Sequence, residues 1–218
     1  MEGSNRPTPA RIRILGRAVN ATISRAPWLW PVLRPAVHGF FERSAAGWDT
    51  RTGAGSVPHL AAFAAACAQV RPAPERILEL GTGTGEAALF LAREFPGASV
   101  RGVDLSEEMI HAAQAKVGLD PTGRIAFRVA DAADLPYGDE SFDLVALLNM
   151  PPFFAEIGRV LRPEGSVIVA ASWGAATPFY TPPAMLERGL RRHGITSVAD
   201  GETGGGSWFV GRKRSDYI

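Results

Sequence analysis

The stretch Ile77-Leu-Glu-Leu-Gly-Thr-Gly-Thr-Gly85 decides the fold of this 218-residue chain. Its apolar half belongs to a predicted strand, Arg76–Leu80, which runs directly into a turn with glycine at every second position. Glycine allows positive φ and a close approach of backbone to a ligand, and the helix expected from Glu86 to Phe95 begins with free N–H groups. A strand, a glycine turn and a helix in this order predict a βα unit with a ligand at the turn.

Strands and helices alternate from residue 74 onward, which predicts an α/β fold with a doubly wound, mostly parallel sheet of seven strands. The expected strands are Arg76–Leu80, Ser99–Asp104, Ile125–Ala130, Phe142–Leu148, Ser166–Ala171 and a hairpin of Ile195–Ala199 with Ser207–Gly211. The expected helices are Glu86–Phe95, one capped by Ser106 that ends near Val117, Phe153–Leu161 before a stop at 162–165, and Pro183–His193. Ligands of such sheets bind at the carboxyl ends of the strands, near the switch point.

Residues 1–60 are interpreted as a helical N-terminal arm, and residues 61–218 as the ligand-binding domain. The first ten residues are expected to be disordered, and residues 11–25 have helical spacing. Residues 27–41 are aromatic and are expected to be broken by their prolines. A polar hinge is expected from Glu42 to Gly53.

Composition narrows the partners of the chain. The net charge is +1, which gives no nucleic-acid signature. The arm carries eight arginines and three acids, whereas residues 61–218 carry fifteen basic and nineteen acidic residues. A packed N-terminal helix is favoured for Trp28–Phe41, and weak peripheral attraction to anionic lipid stays open.

The single cysteine, Cys67, excludes an internal disulfide and favours a cytoplasmic setting. Monomer and homodimer both stay open.

Two carboxylates near the glycine turn indicate that it is a candidate cofactor site. Glu79 stands just before the turn, where it can accept bonds from a cationic ammonium group. Asp104 ends the second strand, where a carboxylate can take both hydroxyls of a ribose. The dinucleotide fingerprint needs a third glycine at position 86, where this chain has Glu86. An acid at that helix start opposes a pyrophosphate, so the turn favours a cofactor without phosphates.

Four ordered motifs resemble those of class I S-adenosylmethionine-dependent methyltransferases, and in particular the small-molecule enzymes of the quinone-biosynthesis group. The first two are Ile77–Gly85 and Gly102-Val-Asp-Leu-Ser-Glu-Glu-Met109. The others are Asp131-Ala-Ala-Asp-Leu-Pro-Tyr-Gly-Asp-Glu-Ser-Phe-Asp-Leu-Val145 and Glu156-Ile-Gly-Arg-Val-Leu-Arg-Pro-Glu-Gly165. The resemblance covers roughly residues 42–173.

The resemblance implies S-adenosylmethionine as cofactor, S-adenosylhomocysteine as product and a small-molecule acceptor. Glu79, Gly81 and Gly83 would line the methionine portion, and Thr82 and Gly85 of the same turn would also belong to the cofactor site. Asp104 would hold the ribose, Leu105, Met109 and Ala132 would lie beside the adenine, and Asp131 would accept from its amino group. Leu148 and Asn149 would face the sulfonium. Trp48 lies in a stretch that caps the cofactor in this group, where a tyrosine is usual.

The reaction expected is methyl transfer to an oxygen, nitrogen or carbon atom by in-line displacement. Because the methyl group is already activated, alignment is the main task, and no catalytic residue and no metal ion are assigned. The acceptor is expected to enter between the arm and a lid, Trp173–Pro183. His59 begins a helix close enough to approach the site, and no pair of histidines has metal-ligand spacing.

Three alternatives stay open beside this one. A nicotinamide-dependent oxidoreductase is disfavoured by the misplaced third glycine. An amino-group methylase acting on nucleic acid or protein would read Asn149-Met-Pro-Pro-Phe153 as an interrupted Asn-Pro-Pro motif, although prolines also begin helices well. The third is a cofactor-binding partner subunit without catalysis.

Overall fold

The computed structural model describes residues 10–118 and 122–215. The disorder expected for the first ten residues concerns a segment outside the described residues, except for Ala10, which begins the first helix. The described helices are α1 (Ala10–Arg25), α2 (Trp30–Ser44), α3 (Trp48–Thr52), α4 (Val57–Cys67), α5 (Glu86–Glu94), α6 (Glu107–Val117), α7 (Phe154–Val160) and α8 (Pro183–Arg191). The described strands are β1 (Arg76–Leu80), β2 (Ser99–Asp104), β3 (Ile125–Val129), β4 (Phe142–Leu148), β5 (Leu161–Ala171), β6 (Ile195–Thr203) and β7 (Gly206–Lys213).

These seven strands form one sheet in the order β3-β2-β1-β4-β5-β7-β6. The first five are parallel, and β7 is antiparallel to both of its neighbours. Every residue of β4 is buried, as expected for a parallel strand that is covered on both faces. The strand order reverses between β1 and β4, which places the switch point beside the glycine turn. The predicted fold class is therefore confirmed.

Alternate side chains of β1 reach two separate hydrophobic cores. Ile77 packs in the core formed with α4, α5 and α6, whereas Leu78 and Leu80 pack in the core formed with α7 and α8. Both cores contain side chains of other parallel strands as well, because successive strand residues point to opposite faces. The sheet is therefore held from both sides, and this fixes the position of the edge at which the strands end.

The arm differs from the expectation in two places. Residues 27–41 are not broken by their prolines: a short 3-10 helix, Pro27–Leu29, leads into α2, which continues through Pro35. Pro35 costs one helical hydrogen bond, and the packing of Trp30 and its neighbours against the domain offsets this loss. The expected polar hinge is also wrong, because α2 reaches Ser44 and the next turn of chain forms α3.

We expected β5 to begin at Ser166, but the strand begins earlier, at Leu161. The strand already pairs with β4 at Leu161 and resumes its pairing at Ser166 after a register shift. Between these points Glu164 has a φ of 62°, so the residues interpreted as a stop form an irregularity within the strand. Helix α4 runs through residue 60, and the division of the chain there stays a prediction. No helix within residues 10–118 and 122–215 is long and apolar enough to cross a membrane.

Candidate cofactor site

The turn between β1 and α5 has the conformation that its glycines allow. Gly81, Gly83 and Gly85 have φ values of 68°, 52° and 86°, a region that side chains with a Cβ atom rarely adopt. The backbone N–H of Thr82 donates to the carbonyl of Val103 at 2.9 Å. The turn is thereby fastened to the last residues of β2, and it brings the ends of two neighbouring strands together.

Glu79 is almost fully buried beneath this turn, with 1% of its surface exposed. The hydroxyl of Thr82 donates to its carboxyl group. Burial raises the pKa of Glu79 to about 8, the Thr82 hydrogen bond opposes this rise, and the nearby charge of Asp104 adds to it. An acid in this state ionises readily only when a cation comes to lie beside it.

Asp104 ends β2 on the other side of the turn. Its two oxygens accept backbone hydrogen bonds from Gly83 at 2.9 Å and from Ser106 at 3.0 Å. Burial raises the pKa of Asp104, the backbone hydrogen bonds lower it, and the charge of Glu42 raises it slightly further. A carboxylate has about four acceptor positions, so capacity remains for the two hydroxyls of a ribose.

Glu42 is a site residue that the sequence analysis missed. It comes from α2 in the arm, its charge acts on Asp104, and its Oε2 atom is buried without a hydrogen-bond partner. The His38 ring lies near it, with Nε2 3.6 Å from Oε2. No motif signals this residue, because only the folding of the arm over the domain brings positions 42 and 104 together.

Asp131 follows β3 and is covered by the arm. Its Oδ1 accepts from the backbone of Ala133 at 2.9 Å, and the indole Nε1 of Trp30 lies 2.9 Å from both carboxylate oxygens. Arg34 adds an ion pair at 3.3 Å. The carboxylate predicted to accept from an adenine amino group is therefore engaged by two side chains of α2, neither of which the sequence analysis had assigned to the site.

The predicted adenine neighbours lie at different depths. Leu105 is half-buried and packs with Ala132 in the cluster built around Trp30 and Phe153. Met109 is fully buried in α6, and its backbone N–H donates to the Ser106 side chain at 3.1 Å, which confirms Ser106 as the cap of that helix. The structure thus places Leu105 and Ala132 together under the arm and buries Met109 in α6, and their contact with an adenine stays a prediction.

The residues after β4 join that strand to β5. Leu148 is buried in the first core. Asn149 has a φ of 57°, and its side-chain amide both donates to the Ser172 hydroxyl at 2.9 Å and accepts from the Ser172 backbone at 2.8 Å. A Cβ atom at Gly81 would lie 2.6 Å from Sδ of Met150. Met150, and not the amide of Asn149, therefore lies directly against the glycine turn.

Trp48 begins α3 and is half-buried beside Phe41, with ring centroids 5.7 Å apart. The next residue, Asp49, accepts a hydrogen bond from the Thr84 hydroxyl and forms an ion pair with Lys116 at 2.6 Å. Lys116 also lies 2.7 Å from Glu86. The stretch around Trp48 is thus connected to the turn through Asp49, which the sequence analysis did not assign to the site.

His59 lies in the first turn of α4, close to the charges of Asp49 and Glu86. It is buried, and its Nδ1 atom has no hydrogen-bond partner. Burial lowers the pKa of His59 despite the two acids, which favours the neutral ring. In the described part of the chain, no group of three or more His, Cys, Asp or Glu side chains is arranged to hold a metal ion.

The fold is the Rossmann-like fold of methyltransferase structures. Residues 77–165 match the model of a family described as a methyltransferase domain, so this segment carries such a domain, and its relatives include the quinone-biosynthesis group. The chain is 38% identical over 104 residues to the O-methyltransferase cnsE of Penicillium expansum, an alignment that covers 44% of this chain and 37% of that protein.

A second relative is the ubiquinone/menaquinone biosynthesis C-methyltransferase of Geotalea daltonii, which is 35% identical over 111 residues. This alignment covers 46% of this chain and 47% of the relative, so the chain spans less than half the length of either protein. Among solved structures, the methyltransferase in complex with the Haloferax volcanii Trm112 activator superposes with a TM-score of 0.64. It is 23% identical, and the match covers 80% of this chain and 97% of that one, which supports the fold.

Proposed function

We propose that this protein transfers a methyl group from S-adenosylmethionine to a small-molecule oxygen, nitrogen or carbon nucleophile by in-line displacement. The observation that carries the proposal is the convergence of Glu79, Asp104 and Glu42 at the glycine turn. Within the described residues, neither Glu79 nor Asp104 has a lysine or arginine as a hydrogen-bond or ion-pair partner. A buried carboxyl group beside two half-buried ones, each raising the pKa of a neighbour, favours a ligand that brings positive charge.

The residues present fit this cofactor better than a dinucleotide. S-adenosylmethionine carries an ammonium group and a sulfonium, and its activated methyl group is the chemistry that it supplies. Glu79 suits the cationic end and Asp104 the ribose hydroxyls, whereas Glu86 at the start of α5 disfavours the diphosphate of a nicotinamide cofactor. This charge arrangement supports a methyltransferase over the oxidoreductase alternative.

The surroundings of Met150 indicate a neutral acceptor. A small cleft beyond Met150 is lined by Phe179, Thr181, Ser207 and Trp208, and none of its lining residues is ionisable. Such a lining favours an apolar molecule next to Met150 over a charged one, and alignment alone can supply ~7–11 kcal/mol in well-oriented systems. It offers no general base, so we expect acceptors whose nucleophilic atom ionises readily, and it offers no basic groove for a nucleic acid.

The amino-group methylase alternative requires the Asn149 amide to bind the substrate NH₂ group. That amide already has a donor and an acceptor bond to Ser172, which supports a structural role for the interrupted motif. The alternative of a partner subunit without catalysis is distinguished from the enzyme by the methyl-transfer assay described below. A cytoplasmic location and the state of oligomerisation stay predictions.

The test has two stages. Calorimetric titration with S-adenosylhomocysteine should show one site per chain, and the absence of binding at high micromolar concentration would remove the proposal. Transfer of isotopically labelled methyl groups to a panel of phenols, enols, amines and carboxylates should then show product with neutral acceptors. Binding without transfer to any member of the panel would favour the non-catalytic partner subunit.

A further inference from the structure

We propose that the arm docks this protein onto an anionic phospholipid surface. The docking surface, called the outer arm face, consists of Ile14 and Leu15 of α1, Trp28 and Leu29 at the corner between the two arm helices, and Val32 of α2. The inference goes beyond methyl transfer and does not depend on it.

The outer arm face is unusually apolar for a surface. Trp28 is 73% exposed, Ile14 68%, Leu15 64% and Val32 76%. Of the ten large hydrophobic side chains that are exposed in the described residues, seven lie between residues 12 and 40. Scattered exposed apolar residues need no explanation, but their concentration in one segment marks an interaction surface.

Helix α1 already uses its other face to pack on the domain. Gly16, Val19, Asn20 and Ile23 are buried and follow helical spacing, and the Asn20 amide donates to the Tyr180 carbonyl at 2.9 Å. At about 100° per residue, Ile14 lies on the side opposite to this buried stripe and Leu15 on its flank. Both side chains therefore stay exposed after the arm has packed, because no other part of the described chain covers them.

The charge of the arm decides which partner fits. Residues 10–41 contain five arginines and no acidic residue. Arg25 is exposed in the last turn of α1 and has no acidic partner among the described residues. Trp and aliphatic side chains flanked by arginine suit the boundary between headgroups and acyl chains of an anionic bilayer, where arginine keeps its charge in water and its stem on apolar groups.

A second copy of this chain fits the same face less well. A symmetric dimer would place the outer arm face against itself, so Arg25 of one copy would approach Arg25 of the other without an acid to neutralise either charge. An anionic lipid surface neutralises this charge instead, at about fivefold in binding constant per charge. The described helices do not cross a membrane, so the contact we infer lies on the bilayer surface.

The test is co-sedimentation of the full chain with vesicles of phosphatidylcholine containing about one third phosphatidylserine, and with vesicles of phosphatidylcholine alone. We expect binding to the anionic vesicles that weakens in high salt. Arg25→Glu exchanges an attracted charge for a repelled one and should weaken binding about 25-fold. The double variant Trp28→Ser, Leu29→Ser should weaken it at least tenfold, because it removes the apolar anchor.

Two variants serve as matched controls for the same chemistry elsewhere. Val198→Ser changes an exposed apolar residue on the edge strand β6, and Arg188→Glu changes an exposed arginine on α8; both should bind vesicles like the original chain. The proposal fails if the chain stays in the supernatant, binds neutral vesicles equally, or loses binding as much with the controls as with the arm variants. It also fails if the arm variants abolish a dimer, or a complex with nucleic acid, while vesicle binding is absent.

Discussion

Asp104 offers the sharpest test of the cofactor site. We expect Asp104→Asn to weaken the binding of S-adenosylhomocysteine, because an amide replaces the charged acceptor of the ribose hydroxyls. Hydrogen bonds to a charged group contribute about 1.5–3 kcal/mol, which corresponds to a dissociation constant raised roughly 10- to 150-fold. Backbone N–H groups of Gly83 and Ser106 donate to this carboxylate and set where it lies, so the variant also removes the side-chain acceptor of one of these two bonds.

Calorimetric titration at constant pH measures this change directly. Thermal unfolding of each variant without ligand shows whether the fold is retained, and Asp200→Asn on the exposed edge strand β6 is the matched control. The control should bind like the original chain. An unchanged affinity for Asp104→Asn in a folded protein would contradict the assignment of Asp104, and equal losses in both variants would show that the effect is not local.

Three further predictions concern the turn and its cover. Burial raises the pKa of Glu79 in the folded chain to about 8. Between pH 4.5 and 8 the ligand-free folded state therefore holds a proton on Glu79 that the unfolded state has lost, and the free energy of unfolding should fall as the pH rises from about 4.5 to 8. Glu79→Gln should flatten this fall in thermal melts, and a parallel pH profile in both proteins would refute the burial argument. Gly81→Ala should destabilise the fold by about 1–3 kcal/mol in denaturant unfolding, since φ is 68° and Met150 lies in the way of a Cβ. Gly97→Ala, with open space around it, should stay within about 0.5 kcal/mol, and similar costs at both positions would count against the turn geometry. Trp30→Phe keeps an aromatic ring against Phe153 but removes the indole N–H from Asp131. We expect the free energy of unfolding to fall by about 1.5–3 kcal/mol. An unchanged free energy of unfolding would mean that this bond does not hold the arm.

The contacts that hold the arm on the domain also involve carboxylates beside the candidate cofactor site. Trp30 and Arg34 contact Asp131 on one side, and the Thr84 hydroxyl contacts Asp49 on the other. Both contacts join an arm helix to an edge of the crevice, and each contains a carboxylate that a ligand can compete for. A ligand that engages Asp131 would therefore have to share it with α2 or displace α2 from it, and the Trp30→Phe variant reports on this competition as well.

The sequence by itself determined the sheet and the turn. Unbroken apolar runs such as β4 and the glycines at positions 81, 83 and 85 are local signals, because burial on both faces and positive φ each select particular residue types. The prediction that this turn does not bind a diphosphate was equally local, because it rests on Glu86 alone. These signals sufficed to predict the fold class, and the place of the cofactor stays a prediction that rests on the same turn.

Tertiary structure alone decided what closes the crevice. The helix through Pro35 exists because packing of Trp30 against the domain outweighs a local helix breaker. Glu42 approaches Asp104, and Trp30 approaches Asp131, across 62 and 101 residues of chain. Local patterns cannot encode such contacts, because the free energy that holds them comes from the burial of side chains that are brought together only after the arm has folded onto the sheet.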